Sequence, residues 1–272
     1  MDTHFDKLTI IGVGLIGGSF ARVCQKKGIA GSIVGFGRQE ANLRKALELG
    51  VIDEYSLDLN EAVKQADFVL VAVPVGSIFP LVKKMISSLK KGSIISDVGS
   101  VKGSLVEKIE KILPDDVHFV GAHPIAGTEN SGVEASFAEL FEGSKCILTP
   151  SKFTDHETLQ KVKKLWKLMG SEIKLMEPDE HDKIMAAVSH LPHIAAYAIT
   201  SFMFELQHLW PDILSYSAGG FRDFTRIASS HPTMWCDICN NNRDALIKMI
   251  EQYETTLDQF KTLIKEKNWL QL

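Results

Sequence analysis

The chain has little of what marks a secreted, membrane-spanning or nucleic-acid-binding protein. It contains four cysteines in 272 residues, too few for the disulfide framework of a small secreted fold. Its longest apolar runs, such as 68–75, are far too short to cross a bilayer. A net charge of −4 gives no electrostatic basis for binding nucleic acid or an anionic membrane. The acidic N-terminus lacks the apolar stretch of a secretory signal, so we expect a cytoplasmic globular protein.

Two of the cysteines, Cys236 and Cys239, have the Cys-x-x-Cys spacing of a redox or zinc motif. A redox pair should begin a helix that follows a strand, whereas this pair lies amid helical signals near the C-terminus. A structural zinc site would need two further ligands at suitable spacing, and the sequence offers no second pair. We therefore interpret the pair as two reduced thiols on a packed helix and expect no metal site.

The first half of the chain alternates short apolar runs with helical patterns. The runs are nearly continuous, which is typical of strands that are covered on both faces. Glycines such as Gly28 and Gly50 fall where helices should stop. This alternation predicts an α/β Rossmann-like domain with a doubly wound, mainly parallel sheet. We predict strands at 8–13, 32–36, 67–73, 93–97, 117–122 and 146–149, and helices at 15–27, 40–49, 60–65, 78–89 and 101–112.

After Pro150 the pattern changes to helices. A helix at 155–169 and a strand at 172–176 should close a dinucleotide-binding domain of residues 1–177. Residues 178–272 then form an all-α domain, with an apolar stretch at 185–209 and an amphipathic one at 243–267. So much apolar surface on so few residues would be exposed in a monomer, so we expect a homodimer built on these C-terminal helices.

A glycine motif, Gly12-Val13-Gly14-Leu15-Ile16-Gly17, lies between the first predicted strand and the first predicted helix. Gly12 suits a tight turn, Gly14 lets the backbone approach a pyrophosphate, and Gly17 allows close packing of helix and strand. The pyrophosphate would rest on amide groups at the positive end of the helix, where Leu15 and Ile16 lie. In this strand–turn–helix context, the motif predicts an NAD or NADP site.

The choice between NAD and NADP stays open. The acidic residue expected about 20 positions after the motif is missing, and the second strand ends Gly35-Phe36-Gly37-Arg38. Arg38 could pair with a 2′-phosphate or stack on adenine, while Glu40 lies close enough to keep NAD possible. Val73 and Pro74 end the next predicted strand, where the chain should run past the dinucleotide.

Two side chains with reactive potential follow later strands. Ser100 lies after the strand that ends at Asp97; its hydroxyl could point to the nicotinamide region or cap a helix beginning at Val101. His123 ends the next apolar run, where an imidazole can accept a proton while a nicotinamide accepts a hydride. Histidine, with an ordinary pKa of about 6.5, suits that role.

Five motifs together resemble the prephenate/arogenate dehydrogenases of tyrosine biosynthesis, and the resemblance covers essentially the whole chain. It implies an oxidoreductase that transfers hydride from C4 of a cyclohexadienyl acid as carbon dioxide leaves. It also implies that His123 accepts the hydroxyl proton, that Ser100 orients the hydroxyl or His123, and that His193 lies beside the substrate. The motifs are Gly12–Gly17, Asp97–Lys102, His123–Glu129, Ser189–His193 and Gly219–Ala228.

The resemblance also implies a set of substrate-binding residues. Arg226 matches a position suited to gripping a substrate carboxylate with its planar guanidinium. Arg222 and Asp223 are expected to pair with each other or with a partner subunit, or Asp223 to join the pocket. His190 is expected to be structural, and Pro192 to kink its helix by freeing the carbonyl of Val188. The remaining pocket positions are Thr128, Gly219 and Trp235.

Three other functions stay open at this point. The substrate could be L-arogenate, which would give tyrosine directly instead of 4-hydroxyphenylpyruvate from prephenate. A β-hydroxyacid dehydrogenase or imine reductase shares this architecture but would be expected to carry a lysine base on the helical domain. A non-catalytic dinucleotide sensor would have little reason to keep Ser100, His123 and Arg226 together. We expect no additional regulatory or chorismate mutase domain.

Overall fold

The computed structural model describes residues 4–272. Residues 1–3, part of the stretch in which we expect no secretory signal, lie outside the described residues. The chain separates into two compact units, one ending at His181 and the other comprising Asp182–Leu272. The first unit contains a β-sheet with flanking helices, and the second unit is helical.

The first unit contains an eight-stranded sheet in the order β3-β2-β1-β4-β5-β6-β7-β8. Neighbouring strands from β3 to β6 are parallel; β7 is antiparallel to β6, and β8 is parallel to β7. The sheet order reverses next to β1, the type of switch point where open α/β sheets bind ligands. The strands are β1 (Phe5–Ile11), β2 (Ala30–Phe36), β3 (Glu54–Ser56), β4 (Phe68–Val71), β5 (Ile94–Asp97), β6 (His118–Pro124), β7 (Lys145–Thr149) and β8 (Glu172–Leu175).

This architecture confirms the predicted doubly wound, mainly parallel sheet, but one strand was missed. Strand β3 is the three-residue edge Glu54-Tyr55-Ser56, which pairs only with β2 and has no buried residue. An edge strand this short and polar gives no apolar run that could signal it. Strand β6 also extends further than predicted, so His123 lies inside its last pairs, opposite Ile147.

In the described part of this unit, six helices flank the sheet, and an aromatic cluster fills part of the core. The Phe20 ring lies between Phe68, at 6.1 Å and nearly parallel, and Trp166, at 5.4 Å and edge-on. Phe141 meets Trp166 edge-on at 5.4 Å. Such pairs contribute about 0.5–1.5 kcal/mol beyond the burial of their area. The helices are α1 (Leu15–Lys26), α2 (Glu40–Glu48), α3 (Leu59–Val63), α4 (Val75–Met85), α5 (Gly103–Glu110) and α6 (His156–Leu168).

Helix α5 begins two residues later than predicted. Lys102 occupies its N-cap position with φ −124° and ψ −43°, and the helix starts at Gly103. The side chain of Lys102 is fully buried and paired with Asp97, so residues 98–102 form a loop that brings Lys102 back to the end of β5 before the helix begins. The prediction of a helix from Val101 was therefore wrong at its start.

The second unit is helical, as predicted. Helix α7 (Pro178–Met185) spans the division between the units and continues into a π-helical turn, Ala186–His190, followed directly by α8. A π turn is one way in which a helix accommodates a disrupted hydrogen-bond ladder, here just before Pro192. Within residues 4–272, no helix is long and apolar enough to span a membrane. The other helices are α8 (Leu191–Leu206), α9 (Gly219–Arg226), α10 (Pro232–Asn241) and α11 (Arg243–Lys265).

Candidate active site

The glycine loop has the geometry that a dinucleotide requires. Gly12 has φ +94°, and a Cβ there would lie 2.3 Å from the carbonyl oxygen of Ala72. A Cβ on Gly17 would lie 2.3 Å from the carbonyl oxygen of Gly12, so both positions exclude any side chain. Gly14, by contrast, faces open space at the N-terminus of α1, where no side chain caps the helix. The first-turn amides at Leu15 and Ile16 are thus left for an anion, so the loop fits a pyrophosphate.

The loop packs against the end of the neighbouring strand, β4. A Cβ on Gly12 would meet Cγ1 of Val73 at 2.8 Å, so the Val73 side chain lies directly beside the turn. Pro74 follows at the N-cap position of α4 and is exposed. Both residues predicted to run past the dinucleotide therefore lie at the switch point, next to the glycine loop.

Glu40 and Arg38, on which the cofactor question depends, lie in different environments. One oxygen of Glu40 accepts hydrogen bonds from Arg44 Nη2 at 2.8 Å and from the Tyr55 hydroxyl at 3.0 Å. The bond from Arg44 is the main cause that lowers the pKa of the Glu40 carboxyl. Arg38 is exposed just beyond the end of β2 and forms no ion pair within residues 4–272. The guanidinium is available to a ligand, whereas Glu40 is already engaged.

A buried ion pair organises the ends of β5 and β6. Asp97 and Lys102 are both 0% exposed and form a direct salt bridge. The same carboxylate accepts from the amide of Gly99 at 2.8 Å and from the amide of Ala122 at 3.3 Å. Because Ala122 precedes His123, one carboxylate ties the loop that carries Ser100 to the strand that carries His123.

Ser100 lies in the middle of this clamped loop and is half-buried. It does not cap α5, because Lys102 occupies the N-cap position and the helix has no side-chain cap. The capping interpretation of Ser100 was therefore wrong. The hydroxyl is held by a loop fixed at Asp97 and Lys102, and its role toward the substrate stays a proposal.

His123 lies at the carboxyl end of β6, three strands from the glycine loop in the order β1-β4-β5-β6. At about 4.8 Å per strand, this separation is roughly 14 Å across the sheet. The imidazole is half-buried, and its Nδ1 lies 2.9 Å from Nε2 of His181 on α7. The two rings meet edge-on, with centroids 5.1 Å apart. One nitrogen of His123 is thus engaged by the protein.

The segment after His123 carries Thr128 and then packs on α1. Thr128 is exposed, and its hydroxyl accepts the amide of Asn130 at 3.2 Å. Further along, the Phe137 amide donates to Ser19 Oγ at 3.1 Å, and Arg22 Nε donates to Ser136 Oγ at 2.9 Å. Thr128 therefore lies in an exposed turn whose far end is anchored to the helix of the glycine loop.

In the helical unit, His193 and Trp235 form one cluster with His190. The His193 ring stacks on Trp235 with centroids 3.9 Å apart, and His190 meets the same indole edge-on at 6.0 Å. His193 Nδ1 lies 2.9 Å from the carbonyl oxygen of Ser189. A carbonyl can only accept, so Nδ1 carries the hydrogen and Nε2 of a neutral ring is an acceptor. His190 is buried against Asn242 Nδ2 at 3.1 Å, as a structural residue would be.

The other predicted substrate residues of this unit lie along α9. Gly219 is its first residue, Arg226 its last, and Asp223 lies between them, all three exposed. In the described chain no ion pair joins Arg222 to Asp223, so of the two expected pairings the one within the chain is not formed, and pairing with a partner subunit stays a prediction. The Arg226 guanidinium likewise makes no ion pair within residues 4–272.

Cys236 and Cys239 lie as free thiols on helix α10. Cys236 is exposed, while burial is the main cause that raises the pKa of Cys239. Across residues 4–272, no group of three or more His, Cys, Asp or Glu side chains could hold a metal ion.

Sequence reasoning assigned no role to three residues of this site, Asp97, Lys102 and His181. Asp97 and Lys102 carried a signal, because a carboxylate at the end of a buried strand needs a nearby opposite charge, and Lys102 follows it by five residues. His181 carried none, since it is 58 residues from His123 and only the fold brings them together.

The comparisons with known proteins agree with this geometry. Residues 20–175 match the family model described as prephenate dehydrogenase, nucleotide-binding domain, and residues 177–272 match the prephenate dehydrogenase dimerization domain. The chain belongs to the prephenate dehydrogenase family. It is therefore an oxidoreductase with an NAD(P)-binding Rossmann domain, as the resemblance implied.

Individual relatives extend this match over nearly the whole chain. The chain is 37% identical to a cyclohexadienyl dehydrogenase of Zymomonas mobilis, covering 98% of this chain and 91% of that protein. Prephenate dehydrogenase from A. aeolicus, solved with hydroxyphenyl propionate and NAD+, is 41% identical with a TM-score of 0.91, over 97% of this chain and 92% of the other. Arogenate dehydrogenase from Synechocystis is 30% identical with a TM-score of 0.81, and the match covers 98% of this chain and 94% of that protein.

Proposed function

We propose that this protein oxidises prephenate to 4-hydroxyphenylpyruvate and carbon dioxide, with NAD or NADP as the hydride acceptor. The observation that carries the proposal is the position of His123. Its imidazole stands at the carboxyl end of β6, in the same row of strand ends as the glycine loop that fits a pyrophosphate. A dinucleotide bound at that loop supplies the hydride acceptor.

The residues of the chain supply a proton acceptor and orientation. His123 takes the proton of the C4 hydroxyl as hydride leaves C4, and Ser100 orients that hydroxyl from the clamped loop beside it. The bond from the ring to the carboxylate then breaks, and its electrons pass through the ring to the C4 oxygen as the ring becomes aromatic. That oxygen takes back the proton from His123, which gives the phenol and restores the neutral imidazole. Because aromatisation drives the reaction, the protein mainly needs to align the groups and hold one base.

Substrate binding falls to the helical unit and to the turn after His123. Arg226 makes no ion pair of its own in the described chain, and its planar guanidinium suits a carboxylate of the substrate. His193 offers Nε2 as an acceptor, because the Ser189 carbonyl fixes its tautomer, and Trp235 supports it by stacking. The other residues proposed to contact the substrate are Thr128 in the first unit, and Gly219 and Asp223 in the helical unit.

The alternative substrate is L-arogenate, which differs only by an amino group in place of the keto group. The similarity to the Synechocystis arogenate dehydrogenase keeps this alternative in view. The deciding experiment is a steady-state assay that crosses prephenate and arogenate with NAD and NADP. We expect the highest kcat/KM with prephenate. Turnover of arogenate alone would move the assignment to tyrosine formation, and turnover of neither would overturn it.

For the cofactor, we propose that both dinucleotides bind and that Arg38 contacts the 2′-phosphate of NADP. Glu40 would otherwise repel that phosphate, but its charge is paired with Arg44. Arg38→Ala should raise the KM for NADP roughly tenfold and change the KM for NAD less than about twofold. Equal effects on both cofactors would remove Arg38 from the 2′-phosphate site.

We further propose that the protein is a homodimer formed through its C-terminal helices, and that the functional division of the chain is 1–177 and 178–272. The match of residues 177–272 to a dimerization domain supports both statements. On α11, Tyr253, Leu257, Phe260 and Ile264 form an exposed apolar row, here called the α11 stripe. A row at this spacing is the usual seam between packed helices. A cytoplasmic location remains a prediction.

A further inference from the structure

We infer that His181 is a positioning residue for catalysis, which holds His123 in the one tautomer that can accept a proton. The inference rests on the proposed role of His123 as the base. It concerns a histidine that lies 58 residues away in the sequence and outside every motif from which the function was predicted.

The contact is built into rigid parts of the fold. His123 lies in the paired end of β6, opposite Ile147, and its strand is fixed further by the bond from the Ala122 amide to Asp97. His181 lies in α7, its amide bonds the Glu177 carbonyl at 2.9 Å, and its side chain is 0% exposed. A ring held on two regular elements keeps its orientation better than one held by a loop.

The chemistry of two imidazoles 2.9 Å apart leaves only two neutral arrangements. In one, His181 Nε2 donates to His123 Nδ1, which puts the remaining hydrogen of His123 on Nε2 and leaves no lone pair for a substrate proton. In the other, His123 Nδ1 donates to His181 Nε2, and Nε2 of His123 carries the lone pair that can accept a proton. Only the second arrangement is productive.

The productive arrangement also favours the reaction as it proceeds. When His123 accepts the substrate proton, its Nδ1–H becomes part of a cation and its bond to His181 becomes charge-assisted. Such bonds are roughly twice as strong as neutral ones, so the contact strengthens as charge develops. An interaction that is stronger in the transition state than in the ground state raises kcat rather than lowering KM.

The first test measures the tautomer directly in the protein without cofactor or substrate. Two-bond ¹H–¹⁵N spectra of ¹⁵N-histidine-labelled protein, at a pH where neutral imidazoles predominate, distinguish Nδ1–H from Nε2–H. His123→Asn and His181→Gln identify the two sets of signals. We expect a protonated Nδ1 and an unprotonated Nε2 on His123. The opposite tautomer on His123 would overturn the inference whatever the substrate is.

The second test uses a pair of variants at His181. Gln can place its carbonyl oxygen near the position of Nε2 and keep an acceptor, whereas Leu fills the space without one. We expect His181→Leu to lower kcat roughly 10- to 100-fold, with the KM values for substrate and dinucleotide within about twofold. His181→Gln should recover kcat to within about fivefold of the parent. The control is His156→Leu, an exposed histidine on α6 that should leave kcat unchanged.

The outcomes separate this inference from the proposed function. If His123→Asn turns over normally, His123 is not the base and the proposed mechanism falls. If His123→Asn is inactive while His181→Leu retains the parent kcat, only the role of His181 falls. A His181→Gln variant that folds, binds dinucleotide and is no faster than His181→Leu would also refute it, because the acceptor would then not matter.

Discussion

The two units of the chain differ in how completely they bury their apolar side chains. In the first unit, strands β4 and β5 are buried at every position, and the core extends through the sheet into α1 and α6. In the second, α8 buries only Ala196 and α11 only Leu246. Large apolar side chains remain exposed on both of these helices, including Phe202, Phe204 and the α11 stripe.

The two units therefore differ in how their apolar surface is covered. A doubly wound sheet covers its own apolar faces with its own helices, so the first unit has a core of its own. The helical unit keeps apolar rows at its surface, and contiguous exposed apolar surface of this kind commonly marks a site of association. The first unit is thus suited to fixed catalytic geometry, and the second to assembly.

The two units also differ in whether their charged side chains are buried or exposed. The first unit buries the Asp97–Lys102 pair and uses it to hold the ends of two strands beside His123. The second keeps Arg226 exposed on α9, with no ion pair in the part of the chain that the structure describes. A buried pair fixes geometry, whereas an exposed guanidinium is open to a ligand.

If the first unit carries the chemistry, the largest effect on turnover is expected at His123. His123→Asn should lower kcat by about a thousandfold, since a positioned general base contributes about 10²–10⁴ in rate. Steady-state turnover and dinucleotide binding, measured on the same variant, check this. Dinucleotide affinity should stay within about threefold, and near-normal turnover would contradict the assignment.

Breaking the buried pair tests whether the stability of the first unit depends on its interior charges. Lys102→Met should lower the free energy of unfolding by about 3–5 kcal/mol, because it leaves Asp97 charged and buried. Urea unfolding followed by circular dichroism measures the change. The control is Lys111→Met, which removes an exposed pair with Glu107 and should cost less than about 0.5 kcal/mol. Equal effects of the two substitutions would show that burial of the pair is unimportant.

Matched substitutions of two exposed phenylalanines test whether self-association depends on the second unit. Phe260→Glu in the α11 stripe should weaken self-association by about 100-fold, because it removes apolar burial and places a charge in the seam. Phe153→Glu in the first unit changes a side chain that is 72% exposed, against 44% for Phe260, and should leave the dimer intact. Sedimentation velocity over a range of concentrations compares them. A dimer insensitive to Phe260→Glu would place the interface elsewhere.

The smallest of these effects should separate binding from chemistry. Arg226→Ala should raise the KM for the substrate roughly 10- to 50-fold while kcat changes less than about threefold, since it removes a bond to a charged group of about 1.5–3 kcal/mol. Arg226→Lys keeps the charge but loses the planar guanidinium, so its KM should lie between those of the parent protein and Arg226→Ala. An unchanged KM in Arg226→Ala would remove Arg226 from the substrate site.

Much of the fold could be predicted from local patterns. Continuous apolar runs predicted β1, β2 and β4 to β7, and the Gly12–Gly17 motif predicted the turn into α1. Strand β8 was also predicted, as a short strand after the helix at 155–169. The two errors in the predicted elements also have causes within a few residues of the chain. Strand β3 has three half-exposed or exposed residues and no apolar run, and α5 starts late because Lys102 turns inward to a partner that the helical pattern does not reveal.

What the sequence determined by itself was the alternation of strands and helices, the glycine loop and the types of residue available for catalysis. These follow from periodicity and steric limits that act over a few residues. What only the tertiary structure decided was which distant groups meet: Asp97 with the amide of Ala122, His181 with His123, and Trp235 with His193. These contacts depend on the sheet order and helix packing, because hydrogen bonds and ring stacking act over a few ångströms in space and leave no periodic trace along the chain.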